Sequence, residues 1–348
     1  MAHDQELTES LIRAVDSGNI GLLENLICKQ GANVNAGFPA RRLGVGDQAL
    51  IRGTRPIRMA VARRDDSAAR LLLKSGADPG LPDTHGYTAI HAAADRGDPE
   101  MLDLLLSAPP TEATTAALTT LTSNGATPLS LAAVNGHSAA VSRLLRAGAT
   151  HKGSIMIPSA LHSAIFRGHT GVVRLLLDNI DAVGGLAVIP TMLTCAAWRE
   201  RARVLHILLS VEGEKERRKW ARETCQGIPL LTYAAGYEIL GNVNVLLAAG
   251  ADETIVDSMG RSVTDLIGFC LKDDQKSPAK ARAISRALQR APAYRASSWR
   301  WRSSSGLAAT GTATSSSQAP RSPLGVAVFR PRRGRLLLKP VFRYAIKR

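Results

Sequence analysis

The feature that most constrains this chain is a unit that recurs along it. Gly86-Tyr87-Thr88-Ala89-Ile90-His91-Ala92-Ala93-Ala94 is followed by Gly97, then by Met101, Leu102, Leu104, Leu105 and Leu106. Gly125-Ala126-Thr127-Pro128-Leu129-Ser130-Leu131-Ala132-Ala133 is followed by Gly136-His137, Val141, Leu144 and Leu145, then Gly148-Ala149. With the Thr slot as a ruler, the unit falls at Glu9, Arg55, Thr88, Thr127, Ser159, Thr191, Pro229 and Ser262. The steps are 46, 33, 39, 32, 32, 38 and 33 residues; four of them agree to within one residue, and the three longer ones mark insertions. Such a chain folds as a stack of like units rather than around one closed core.

Each unit predicts two helices. A Thr hydroxyl accepts from first-turn N–H groups, and Pro at the next position is tolerated because its missing N–H has no partner there anyway. The Ala-Ala pair marks a face on which a neighbouring helix lies almost against the backbone. Gly97, Gly136 and Gly168 end this first helix. The second helix carries apolar residues at helical spacing, as in Val172, Val173, Leu175, Leu176 and Leu177, or Val204, Leu205, Ile207, Leu208 and Leu209. Its stop is again glycine, in Gly31-Ala32-Asn33, Gly76-Ala77-Asp78, Gly148-Ala149-Thr150 and Gly250-Ala251-Asp252.

These residues resemble ankyrin repeats, a family with a unit of about 33 residues and a T-P-L-H-x-A signature. Residues 86–94 and 125–133 match closely, Ser159-Ala160-Leu161-His162-Ser163-Ala164 matches well, and 191–197 and 229–235 match loosely. The resemblance implies an all-α solenoid of about eight helix-turn-helix units with short β-turn connections. Units are expected near 5–35, 54–80, 86–108, 125–150, 158–181, 190–210, 227–253 and 260–290, the first and last being atypical caps. Residues 36–53, 107–124 and 210–226 are longer connections than the family needs. The last contains Glu212 to Glu223, which reads as a charged helix with Trp220 on one face, a solvated face or a docking helix.

A formal net charge of +15 invites a nucleic-acid reading until its location is examined. Residues 291–348 hold 12 Lys and Arg and no acid, so the repeats themselves are nearly balanced. That segment, rich in Ser, Arg, Pro and Gly, is expected to be a disordered tail. Its Arg330-Pro331-Arg332-Arg333-Gly334-Arg335 run could make a weak nucleic-acid contact, with Trp299, Trp301 and Phe329 available for stacking, or serve as a nuclear address. A solvated tail without a partner, or a translated non-coding stretch, stands as the alternative.

The four cysteines, Cys28, Cys195, Cys225 and Cys270, form no CxxC pair, which fits a reducing compartment better than a disulfide framework or a zinc site. The polar N-terminus argues against secretion. The uncharged run Ala182–Trp198 is short for a bilayer and broken by Gly184, Gly185 and Pro190. An intracellular protein, cytoplasmic or nuclear and without a membrane span, is expected.

No catalytic constellation stands out. Gly44-Val45-Gly46 lacks the third glycine and the phosphate-binding Lys of a nucleotide loop. Cys195, beside Ala196 and Ala197, reads as a small buried hydrophobe. His91 and His162 occupy the family's His slot, where the resemblance implies hydrogen bonds between units rather than metal binding. Catalytic residues, metal, cofactor and small-molecule substrate are therefore all expected to be absent.

The sharper expectation concerns the two residues after each Ala-Ala pair, which in ankyrin proteins resemble positions on the concave surface. They read Asp95-Arg96, Val134-Asn135, Phe166-Arg167, Trp198-Arg199 and Gly236-Tyr237. Only eight aromatic residues precede residue 291, and three of them fall on this stripe. Trp, Tyr and Arg dominate interfaces because they bury large area or offer forked donors. Phe166, Arg167, Trp198, Arg199 and Tyr237 are thus expected to centre a patch for an unknown protein partner, extended by Tyr87 and His85. The competing reading has Phe166 and Trp198 folded down over gaps in irregular units. The function expected is a non-catalytic scaffold for protein–protein interaction, the alternative being a nuclear or nucleic-acid-associated regulator that uses the tail.

Overall fold

The computed structural model describes residues 2–38, 53–107, 112–150, 159–183, 185–197, 199–222, 224–225, 228–257 and 259–296. Trp198, the Gly44-Val45-Gly46 fragment and the chain from residue 297 onward lie outside them. Helices come in pairs: α1 (Ala2–Asp16) with α2 (Ile20–Cys28), α3 (Pro56–Arg63) with α4 (Asp66–Lys74), and α5 (Ala89–Arg96) with α6 (Pro99–Leu106). After the short α7 (Glu112–Ala117) follow α8 (Pro128–Val134) with α9 (Ser138–Arg146), α10 (Ala160–Arg167) with α11 (Thr170–Asp178), and α12 (Ile189–Ala197) with α13 (Ala202–Leu209). Then come α14 (Glu214–Ala221), the pair α15 (Leu230–Gly236) and α16 (Leu240–Ala248), and the long α17 (Pro278–Ala296).

The first helices touch in series, α1 to α3 to α5 to α8 to α10 to α12 to α15, and the second helices form a parallel row from α2 to α17. This is a solenoid. A two-stranded ladder, Thr224–Cys225 with Ile228–Pro229, leads into α15. The eighth unit has turns where a first helix would lie, so α17 alone closes the stack on α16.

The sequence explains most of these elements. Thr88, Thr127 and Ser159 stand just before α5, α8 and α10, and their hydroxyls accept from His91, Ser130 and His162 N–H at 3.2, 3.1 and 3.1 Å. The ruler fails at two slots: Glu9 lies inside α1, and Thr191 lies inside α12, whose first turn already holds Pro190. The Ala-Ala pairs Ala132-Ala133, Ala196-Ala197 and Ala234-Ala235 are fully buried between first helices. The second row is filled by Leu102, Leu105, Leu144, Val173, Leu176, Leu205, Leu208 and Leu246, each worth roughly 1.5–3 kcal/mol of burial. The inserted α7 presses its backbone onto Gly80, and the inserted α14 buries Trp220 while exposing its charges. No helix among the described residues is long and apolar enough to cross a membrane.

Gly97 and Gly136 do more than end a helix. Both sit in the left-handed region, at φ 68° and 79°. A Cβ on Gly97 would run into the His137 ring, and one on Gly136 would come within 2.6 Å of His169 Nδ1. These histidines reach across the glycine to the preceding unit: His137 Nε2 lies 3.1 Å from Asp95 O, and His169 Nε2 lies 3.0 Å from Val134 O. The glycine thus opens the path by which the next unit satisfies the last carbonyls of α5 and α8. Gly97→Ala is expected to lower stability by about 2 kcal/mol, from the left-handed backbone and the displaced ring together. A Gly97→Ala chain with an unshifted urea midpoint would show that the ring does not need this space.

Candidate interaction surface

Arginine and aromatic side chains meet at three levels of the stack. Arg58 of α3 lies over the Tyr87 ring at 5.0 Å, Arg199 lies over the Phe166 ring at 4.0 Å, and Arg261 lies over the Phe269 ring at 4.7 Å. The first two pairs join consecutive units. Each places a guanidinium flat on a ring, so its edge N–H groups are held in a fixed direction.

The central pair is the most connected. Phe166 is half-buried near the C-terminal end of α10, with the His162 ring stacked at 6.2 Å on the side chain one turn earlier. Arg199 follows α12. Besides Phe166 it faces the Cys195 thiol and the Tyr237 hydroxyl, because both feel its charge. Burial pushes the Cys195 thiol up to about 11 against the pull of Arg199, so at neutral pH it is a thiol and not a nucleophilic thiolate. Burial also raises the Tyr237 hydroxyl, the Cys270 sulfur adds to the rise, and Arg199 again opposes it. The Arg199 carbonyl is itself anchored, accepting from Asn242 Nδ2 at 2.6 Å. The structure therefore brings Phe166, Arg199 and Tyr237 around one cation. Arg167 is exposed at the end of α10.

Tyr87 and His85 belong to a different group. Asp83, its side chain fully buried, accepts from His85 N–H at 2.8 Å and Tyr87 N–H at 2.9 Å, which shapes the turn before α5. The Tyr87 ring lies between Arg58 and the His91 ring, and burial together with Asp95, to which the hydroxyl is hydrogen-bonded, raises its pKa. His85 is exposed. His91 is fully buried; its Nδ1 accepts from Thr88 N–H at 3.3 Å, which leaves Nε2–H to donate to Thr120 O of the next unit at 3.2 Å.

Sequence reasoning missed the third level. Asp257 accepts from Met259 N–H and Arg261 N–H, and its other oxygen takes Arg261 Nε at 2.8 Å and Nη2 at 2.7 Å. Partial burial works against the charged carboxylate here, but the hydrogen bonds from Arg261 and Met259 outweigh it and hold the group below the usual range. Phe269 is 50% exposed. The cavity beside it, lined by Ile228, Tyr233, Gly236 and Cys270, encloses about 20 Å³, room for about one water. The signal that was there to read is the Asp-x-x-Gly turn shared by Asp83–Gly86 and Asp257–Gly260. Among the described residues no three His, Cys, Asp or Glu side chains gather to hold a metal ion.

Paired helices stacked in two rows, crossed by side chains that tie each unit to the last, define a helical repeat protein built to present a surface. The pattern described as ankyrin repeats (3 copies) matches residues 11–114, 57–155 and 107–185, together just over half of the chain. The chain belongs to the ankyrin repeat family. Among solved structures it is similar to the crystal structure of the human ASB11 ankyrin repeat domain, at a TM-score of 0.54 and 22% identity over 67% of this chain and 98% of that one. At that identity the likeness speaks for the fold alone.

Proposed function

We propose that this chain is a non-catalytic scaffold that holds a protein partner on the inner face of its repeats, centred on Phe166, Arg199 and Tyr237. Ankyrin repeats are generally protein–protein interaction modules, and the array on this reading spans residues 5–290. The observation that carries the proposal is the Arg199 guanidinium held flat on Phe166 at 4.0 Å while facing Tyr237. A cation fixed in this way loses little further freedom on binding, which is how arginine and aromatic residues come to dominate interfaces. Arg167, Tyr87 and His85 would border the contact, and Trp198 would join it by its place in the repeat.

The test compares the full chain with Arg199→Ala and Tyr237→Ala in quantitative capture of cellular proteins, with thermal melting alongside. Loss of the captured partner by roughly tenfold or more at an unchanged melting point is expected. Unchanged capture would sink the surface, and a loss that tracks a lowered melting point would assign these side chains to packing.

A further inference from the structure

Charge in this chain is strongly polarised. Asp274 is its last acidic residue, and 17 Lys and Arg follow, more than the whole net charge of +15. The folded start of this stretch is α17, which carries Lys280, Arg282, Arg286, Arg290 and Arg295 and no acid. Ile284, Ala287, Leu288 and Ala291 bury one face of the helix, which packs on α16. Arg282, Arg286 and Arg290 are exposed on the other. Spaced four residues apart, they form one row of about 12 Å along the helix.

Like charges at this spacing repel, and a helix in need only of a solvated surface relieves them with acids. The protein does so on α14, where Glu214 holds Arg218 at 2.5 Å and Glu216 holds Lys219 at 3.4 Å. On α17 the described residues supply no ion pair to the arginine row. Arg282 Nε and Arg286 Nε instead donate to backbone carbonyls one turn earlier, at 3.2 and 3.4 Å, which lays the side chains along the helix. The nearest acid, Asp273, is taken by Lys276 at 2.7 Å.

We propose that the exposed face of α17 docks the phosphate backbone of a nucleic-acid duplex. Guanidinium forks match phosphate oxygens. A straight row on a helix fixed to a rigid stack suits a straight line of anions. The cations that follow without a single counter-charge favour a partner of unbroken negative charge over an acidic peptide segment.

The experiment is fluorescence anisotropy with the full chain and a short labelled DNA or RNA duplex of random sequence, titrated with salt. The triple variant Arg282→Gln, Arg286→Gln, Arg290→Gln is expected to melt like the parent and to bind at least tenfold more weakly. The slope of log K against log salt should fall by about 2–3, near 0.9 for each phosphate released. An unchanged affinity and slope would overturn the proposal. So would a loss seen only with Arg332→Gln, Arg333→Gln, Arg335→Gln, or displacement of the duplex by polyglutamate or anionic vesicles as efficiently as by unlabelled duplex.

Discussion

Asn242→Asp is expected to destabilise the array by about 4 kcal/mol, although it changes one NH2 group to oxygen and leaves the volume untouched. Asn242 is fully buried on α16, and its Nδ2 donates to Ala196 O and Ala197 O at 2.9 Å and to Arg199 O at 2.6 Å. Those are orphan carbonyls at the C-terminal end of α12, which has no glycine stop or histidine bridge of the kind that serves α5 and α8. An aspartate would set a buried oxygen, charged or protonated, against several carbonyl oxygens at once, and a buried charge left unpaired is among the costliest single changes. The carboxyl would hold its proton in the folded chain more strongly than in the unfolded one. The loss should therefore grow as pH rises above the usual carboxylate range. Urea unfolding at pH 5 and pH 7.5 would check this, and equal stability of the variant and the parent at pH 7.5 would remove Asn242 from the linkage. Since Arg199 is anchored by the same amide, partner capture should fall with it.

Acid should loosen the array well before its carboxylates are protonated. Burial pushes the His91 imidazole down to about 4 from an ordinary 6.5, against opposing pulls from the backbone carbonyls of Thr120 and Ala126 and from Asp83. Above pH 6.5 the ring is neutral in both folded and unfolded chains, so nothing is lost. Between 6.5 and about 4 the unfolded chain takes up a proton that the folded chain refuses, and stability drops by about 3 kcal/mol across that window. Burial lowers His162 and His206 as well and adds to the trend. Asp257, Asp265 and Asp273, whose folded values lie below 3.8, act only at lower pH. His91→Gln should start less stable, because it loses the bridge to Thr120, but should decline less between pH 6.5 and 4. Parallel pH profiles of the two chains would contradict this assignment.

Much of the local structure was legible in the sequence. Thr88, Thr127 and Ser159 announced the starts of helices, Gly97, Gly136 and Gly168 their ends, and the Ala-Ala pairs the buried faces. Glu9 and Thr191 misled, since a repeat ruler carries a slot forward even where an earlier residue starts the helix. In the candidate site, Phe166, Arg199 and Tyr237 could be singled out because the slot after Ala-Ala recurs. Arg58, Arg261 and Phe269 could not, since they occupy different slots in different units. The histidine bridges were half visible, as the repeated Gly-His of residues 136–137 and 168–169.

What the sequence by itself determined is the unit: its helices, its stops, its spacing, and hence the family. These follow from hydrogen bonds and burial within a few turns of chain. Only the tertiary structure decided which distant side chains meet. Arg199 on Phe166, His137 in the space left by Gly97, Asn242 on the end of α12, and the arginine row of α17 turned to solvent all depend on the offset and rotation between stacked units. That geometry is set by packing among residues more than thirty positions apart, which no local pattern encodes.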